Sequence, residues 1–134
     1  MAKRVTIYTD GSAQPNPGPA GIGVVVLDES GAIIIEASHS IGWATNNQAE
    51  YKAVVRGLEE AVRLGAEDVE VRSDSELLVR QLNGQYRVRN PELKPLYQRS
   101  LQLVKGFRSW AVVHIPRERN QAADALSRKA VRRS

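Results

Sequence analysis

Apolar and β-branched residues fall into short runs at the start of the chain and recur at helical spacing through its middle and end. Positions 5–8 form a strand-like run that stops at Asp10-Gly11-Ser12, and the punctuated stretch Gln14-Pro15-Asn16-Pro17-Gly18-Pro19 predicts a loop. Positions 21–27 and 32–38 are apolar runs separated by Asp28-Glu29-Ser30-Gly31, which predicts a β-hairpin. Ala53, Val54, Leu58, Ala61 and Val62 then repeat at three- and four-residue intervals. They predict a helix over 48–64, capped by Asn46 or Asn47 and closed by Gly65.

A strand over 69–73, with Val69 and Val71 on one face, ends at Asp74, and a short helix over 75–82 stops near Gly84. Leu93, Leu96, Leu101 and Val104 mark a third helix with Asn90 as its cap and Pro91 at its first position, although Pro95 interrupts the first turns. Positions 110–115 predict a fifth strand. Asn120 caps a last helix carrying Ala123, Asp124, Leu126 and Ser127, and the basic tail, 128–134, is expected to fray. The order is βββαβααβα. Hairpins pair antiparallel and strand-helix-strand units pair parallel, so the expected architecture is α/β, a five-stranded mixed sheet flanked by helices.

Length and composition narrow the picture. At 134 residues, positions 1–134 are expected to form a single domain with a core large enough to need no staples. The absence of cysteine excludes disulfides and thiolate metal sites. No run is long enough for a signal or a membrane span, so the expected protein is soluble, cytoplasmic and without a membrane partner. The net charge of +4 conceals a division, since positions 1–79 hold 6 basic and 12 acidic residues while positions 80–134 hold 13 and 3. An acidic site beside a basic surface suits an enzyme acting on a polyanion; a well-solvated mixed surface is the plainer alternative.

Four acids carry the candidate chemistry. Asp10 and Asp74 each follow a strand, at the ends where open α/β sheets form ligand crevices. Glu50 precedes the apolar stripe of its helix at helical spacing, so it faces inward, and Asp124 lies in an early turn of the last helix. Singly, each has a local explanation as a turn, a cap or a first-turn acid. Together they suggest a shared cation. An all-oxygen set, with no cysteine and no histidine at ligand spacing, points to Mg2+ or Mn2+ rather than zinc.

The segments Thr9-Asp10-Gly11-Ser12, Asn16-Pro17-Gly18-Pro19-Ala20-Gly21-Ile22-Gly23, Thr45-Asn46-Asn47-Gln48-Ala49-Glu50, Ser73-Asp74-Ser75 and Arg117-Glu118-Arg119-Asn120-Gln121-Ala122-Ala123-Asp124 occur in this order. Through them the chain resembles the ribonuclease H family, type 1 branch, across nearly its whole length. The resemblance implies a ribonuclease H-like fold and an endonuclease that cuts the RNA strand of an RNA/DNA hybrid, leaving 5′-phosphate and 3′-hydroxyl ends. It implies two Mg2+ or Mn2+ ions held by Asp10, Glu50, Asp74 and Asp124. By the same resemblance Asp10 would bridge them, Glu50 and Asp74 would serve the ion near the leaving group, and Asp124, with Asp10, would serve the one carrying the nucleophile. The loop from Gly11 through Ser12 to Asn16, and Asn46, are expected along the minor groove, with Glu50 and Glu76 near ribose hydroxyls. Thr45 and Asn90 are expected to grip a phosphate of the DNA strand or to cap helices, and Asn120 is expected among the substrate contacts.

The chain departs from that pattern in two places. Larger relatives insert a basic handle where only Gly84-Gln85-Tyr86-Arg87-Val88-Arg89 stands here, which shifts duplex binding toward Arg80, Arg87, Arg89 and the tail. The flexible histidine loop before the last aspartate is also missing, which leaves Arg117 as the candidate cation beside the scissile phosphate; alternation assigns His114 to packing, and Trp43 is read the same way. A nuclease for double-stranded RNA or another duplex, and a binding module without catalysis, are the competing readings. The protein is expected to act as a monomer.

Overall fold

The computed structural model describes residues 3–133. Five strands, β1 (Arg4–Ala13), β2 (Gly18–Leu27), β3 (Ile33–Ala44), β4 (Asp68–Ser73) and β5 (Ser109–His114), form one sheet in the order β3-β2-β1-β4-β5. The helices are α1 (Asn46–Arg63), α2 (Glu76–Leu82), α3 (Lys94–Val104) and α4 (Gln121–Arg132), with a 3-10 turn at Arg117–Arg119 before α4. The first three strands pair antiparallel, while β1 with β4 and β4 with β5 pair parallel. This is the expected mixed sheet. Among the described residues, no helix is long and apolar enough to cross a membrane.

Strand alternation divides the packing between two faces. Ile7 and Val24 turn toward α1, where Gly57 lets the helix backbone settle on them, and the buried core continues through Tyr51, Val54, Leu58, Val71, Leu78 and Val104. A fully buried leucine such as Leu58 contributes roughly 1.5–3 kcal/mol by leaving water. The buried Tyr51 hydroxyl donates to Gln81 Oε1 at 2.7 Å and ties α1 to α2. On the other face, α4 lies directly on β2. A Cβ at Gly23 would fall 2.1 Å from the Ala123 carbonyl oxygen, so only glycine admits the helix that carries Asp124.

Several local expectations give way to tertiary structure. β1 runs through Asp10-Gly11-Ser12 instead of stopping there, because Asp10 pairs with Gly23 and Gly11 with Ile22. Thr45, not Asn46 or Asn47, caps α1: its hydroxyl accepts from Gln48 N and its own N–H donates to Gln48 Oε1, a reciprocal capping box. Gly65 does end the helix in left-handed backbone, at φ 71°. Val62, assigned to the buried stripe, is 55% exposed. The third helix begins at Lys94, with Pro95 tolerated in its first turn, and Asn90 instead accepts from Glu92 N in a separate turn. The tail does not fray at Arg128. α4 continues to Arg132, held where Ala130 packs on Gly21, and Arg133 donates to the Ser38 carbonyl; Ser134 lies outside the described residues.

Candidate metal centre

Pairing between β1 and β4 ends at Thr9 and Ser73, so Asp10 and Asp74 are the next residue of each chain segment. Asp10 remains in β1 on its α4 side, while Asp74 starts the turn into α2. The α1 backbone reaches them through Gly11, whose Cβ would lie 2.2 Å from the Ala49 carbonyl carbon. That approach lets Gly11 N donate to Glu50 Oε1 at 2.7 Å. Carboxylate oxygens of Asp10, Glu50 and Asp74 consequently lie within 4.8 Å of one another. Asp124 enters from α4 and shares with them a cleft of about 300 Å³, which Gly11, Ser12, Gln14, Asn46, Arg117 and Arg128 also line.

Crowding acids in a place poor in water costs them their charge. Burial pushes the Asp10 carboxyl from 3.8 up to about 7; the Ser127 hydroxyl opposes the shift, and Asp74 and Asp124 add to it. Glu50 is raised well above the ordinary glutamate value, chiefly by burial and then by Asp10 and Asp74, against the pull of the Gly11 N–H. A divalent cation between these groups would reverse both shifts. The donors are all oxygens and lie close enough together to converge on one ion, so the residues fit a hard cation such as Mg2+ or Mn2+.

Around the acids stands a set of polar supports. Ser127, fully buried, donates to Asp10 Oδ2. Asn120 Nδ2 donates to Asp74 Oδ2 at 3.1 Å and to the Thr9 carbonyl at 2.9 Å. Arg128 Nε pairs with Asp124 Oδ2 at 3.2 Å. No motif in the sequence assigns a role to Ser127 or Arg128. They stand three and four residues after Asp124, the spacing of neighbours on a helix, but their relevance depends on α4 lying against β1 and β2.

The substrate-contact candidates divide into those at the cleft and those elsewhere. Gly11, Ser12 and Asn46 line it. Asn16 Oδ1 accepts from Asn46 N at 3.0 Å and Asn46 Oδ1 accepts from Ala13 N at 2.7 Å, which fastens the 14–17 loop to the start of α1. Thr45 and the Asn90 turn are neighbours through Gln48, whose Nε2 donates to Glu92 at 3.3 Å. Glu76 does not join them: it is paired with Arg80, which also stacks on Tyr86.

Asn120, expected among the substrate contacts, is buried beneath the acids and does not line the cleft. It is 1% exposed, and its side chain makes no capping bond to α4, because its amide is directed to Asp74 and Thr9. Arg117, in the turn before α4, lines the same cleft as the four acids. His114 ends β5 opposite Ser73 and is exposed, against the packing that alternation suggested, and Trp43, also expected to pack, is 73% exposed.

Comparison with known proteins adds a family to this geometry. The profile of the reverse transcriptase-like family matches residues 8–130. The chain is 43% identical to "Ribonuclease HI" of Halobacterium salinarum over 96% of its own length, and it spans 64% of that protein. It is 35% identical to "Ribonuclease H" of Syntrophus aciditrophicus, over 98% of this chain and 83% of the other. The solved structure of LC11-RNase H1 in complex with an RNA/DNA hybrid matches with a TM-score of 0.91 at 46% identity, covering 96% of this chain and 97% of that one.

Proposed function

The chain belongs to the ribonuclease H family, and from that footing we propose that it is a metal-dependent endonuclease cutting the RNA strand of RNA/DNA hybrids. The observation that carries the proposal is the convergence of Asp10, Glu50 and Asp74 within 4.8 Å, with Asp124 in the same cleft. A relative of the same fold has been solved with a hybrid bound, which favours that substrate over other duplexes.

In this reading two Mg2+ or Mn2+ ions, when bound, would supply an activated water and charge stabilisation for the leaving 3′-oxygen. Asp10 would serve both, Glu50 and Asp74 would serve the one on the leaving-group side, and Asp124 with Asp10 would serve the one on the side of the attacking water. Hydrolysis forms a new bond from the water oxygen to phosphorus and breaks the bond to the 3′-oxygen, which leaves with a proton. The products carry 5′-phosphate and 3′-hydroxyl ends. Arg117 adds positive charge beside the phosphate, where a guanidinium acts electrostatically and not as a proton shuttle. Ser12, Asn16 and Asn46 offer the polar edge that reads groove shape and 2′-hydroxyls, and Thr45 with Asn90 offers a place for a phosphate of the DNA strand.

Matched hybrid, RNA and DNA duplexes, end-labelled and incubated with Mg2+ or Mn2+, test this reading directly. We expect cleavage of the RNA strand of the hybrid alone, loss of cleavage in Asp10→Asn, and hybrid affinity that falls steeply with salt. Equal cutting of the RNA duplex would overturn the substrate assignment. Hybrid cleavage that survives Asp10→Asn would overturn the catalytic one.

A further inference from the structure

Asn120 and Ser127 bind carboxylates yet line no part of the cleft, being 1% and 0% exposed. With Asp124 they occupy positions 120, 124 and 127, one side of a single helix and its first flanking residue. Each claims one oxygen of a different acid: Ser127 Oγ donates to Asp10 Oδ2, and Asn120 Nδ2 to Asp74 Oδ2. Asn120 gives its other amide hydrogen to the carbonyl of Thr9, the residue before Asp10. Its own Oδ1 is left as the single buried side-chain polar atom without a hydrogen-bond partner among the described residues. Folds avoid such orphans, so an asparagine kept in spite of one has a use for its two donors.

Resting on the proposed metal reading, we infer that Asn120 and Ser127 are positioning residues that hold the Asp74 and Asp10 carboxylates at cation-binding separation before a cation arrives. Like-charged groups this close repel and would rotate apart. The two grips oppose that rotation, and both originate from the element that carries Asp124. Asp10, Asp74 and Asp124 are thereby referred to one rigid body, while Glu50 is held separately by the Gly11 N–H.

Calorimetric titration of the substrate-free chain with Mn2+, paired with thermal melting in EDTA, tests this. Partners outside the ligand set typically change metal affinity 10–100-fold when removed. Ser127→Ala removes only the hydroxyl, so it should weaken Mn2+ binding about tenfold while melting within a few degrees of the wild type. Asn120→Ala should weaken binding at least as much, with an added loss of melting temperature from the Thr9 carbonyl. Wild-type Mn2+ affinity in Ser127→Ala would overturn the positioning role whatever Asn120→Ala does. A wild-type chain that binds Mn2+ no better than Asp10→Asn would overturn the metal reading, and this inference with it.

Discussion

Without a cation, the acid cluster should weaken the fold as pH rises. Asp10 ionises at about 7 in the folded chain and near 3.8 when unfolded. Between those values the folded state holds a proton that the unfolded state has lost, so raising the pH favours unfolding. The contribution of protonated Asp10 is complete below pH 3.8, declines from there, and is gone above about 7. Each unit is worth 1.36 kcal/mol, and a gap of about three units gives ~4 kcal/mol. Glu50 shifts in the same direction. The substitution Asp10→Asn keeps the size and shape of the side chain without the charge. In EDTA, Asp10→Asn should match the wild type near pH 4 and exceed it near pH 8 by up to ~4 kcal/mol, which for a chain of this size is a melting-point gap on the order of 10 °C. Saturating Mg2+ should close that gap by stabilising the wild type alone. Thermal melts of both proteins from pH 4 to 9 supply the measurement. Parallel curves across that range would refute the claim that burial of Asp10 governs the cluster.

Two further outcomes are expected. Gly11→Ala should lower stability by at least ~2 kcal/mol and weaken Mn2+ binding, since its Cβ would collide with the α1 backbone beside Glu50; chemical denaturation and calorimetry on the same sample would check both. Arg117→Ala should lower hybrid turnover roughly tenfold or more with metal affinity nearly unchanged, and an unaltered rate would return Arg117 to the status of an exposed turn residue.

Most of the architecture was legible because alternation and helical spacing are properties of local sequence. The acids could be found because two follow apolar strands and two precede apolar helical stripes. What sequence reasoning missed shares one physical cause, which is competition from distant partners. Asp10-Gly11-Ser12 has the composition of a turn, but β2 offers it a ladder from Gly23 to Gly21 and it stays extended. Asn120 has the chemistry of a cap, but the fold brings Thr9 and Asp74 within reach of its amide, and it bonds to them instead of the helix N–H groups. Ser127 and Arg128 looked like ordinary helix residues because nothing nearby in sequence shows that Gly21 and Gly23 seat α4 against the acids. The tail follows the same rule: its positive charge suggests fraying, while Ala130 is fully buried against the sheet.

The seating of α4 on two glycines also has a consequence for timing. Synthesis delivers the chain from its N-terminus, and Asp10, Glu50 and Asp74 emerge well before residues 120–132. Until α4 docks, the fourth acid is missing, and so are both grips and the Arg128 partner of Asp124. A growing chain therefore holds three of the acids before the element that bonds to Asp10 and Asp74 is in place. On the proposed metal reading, the last helix would act as a completion step, with competence for cation binding arriving together with closure of the fold.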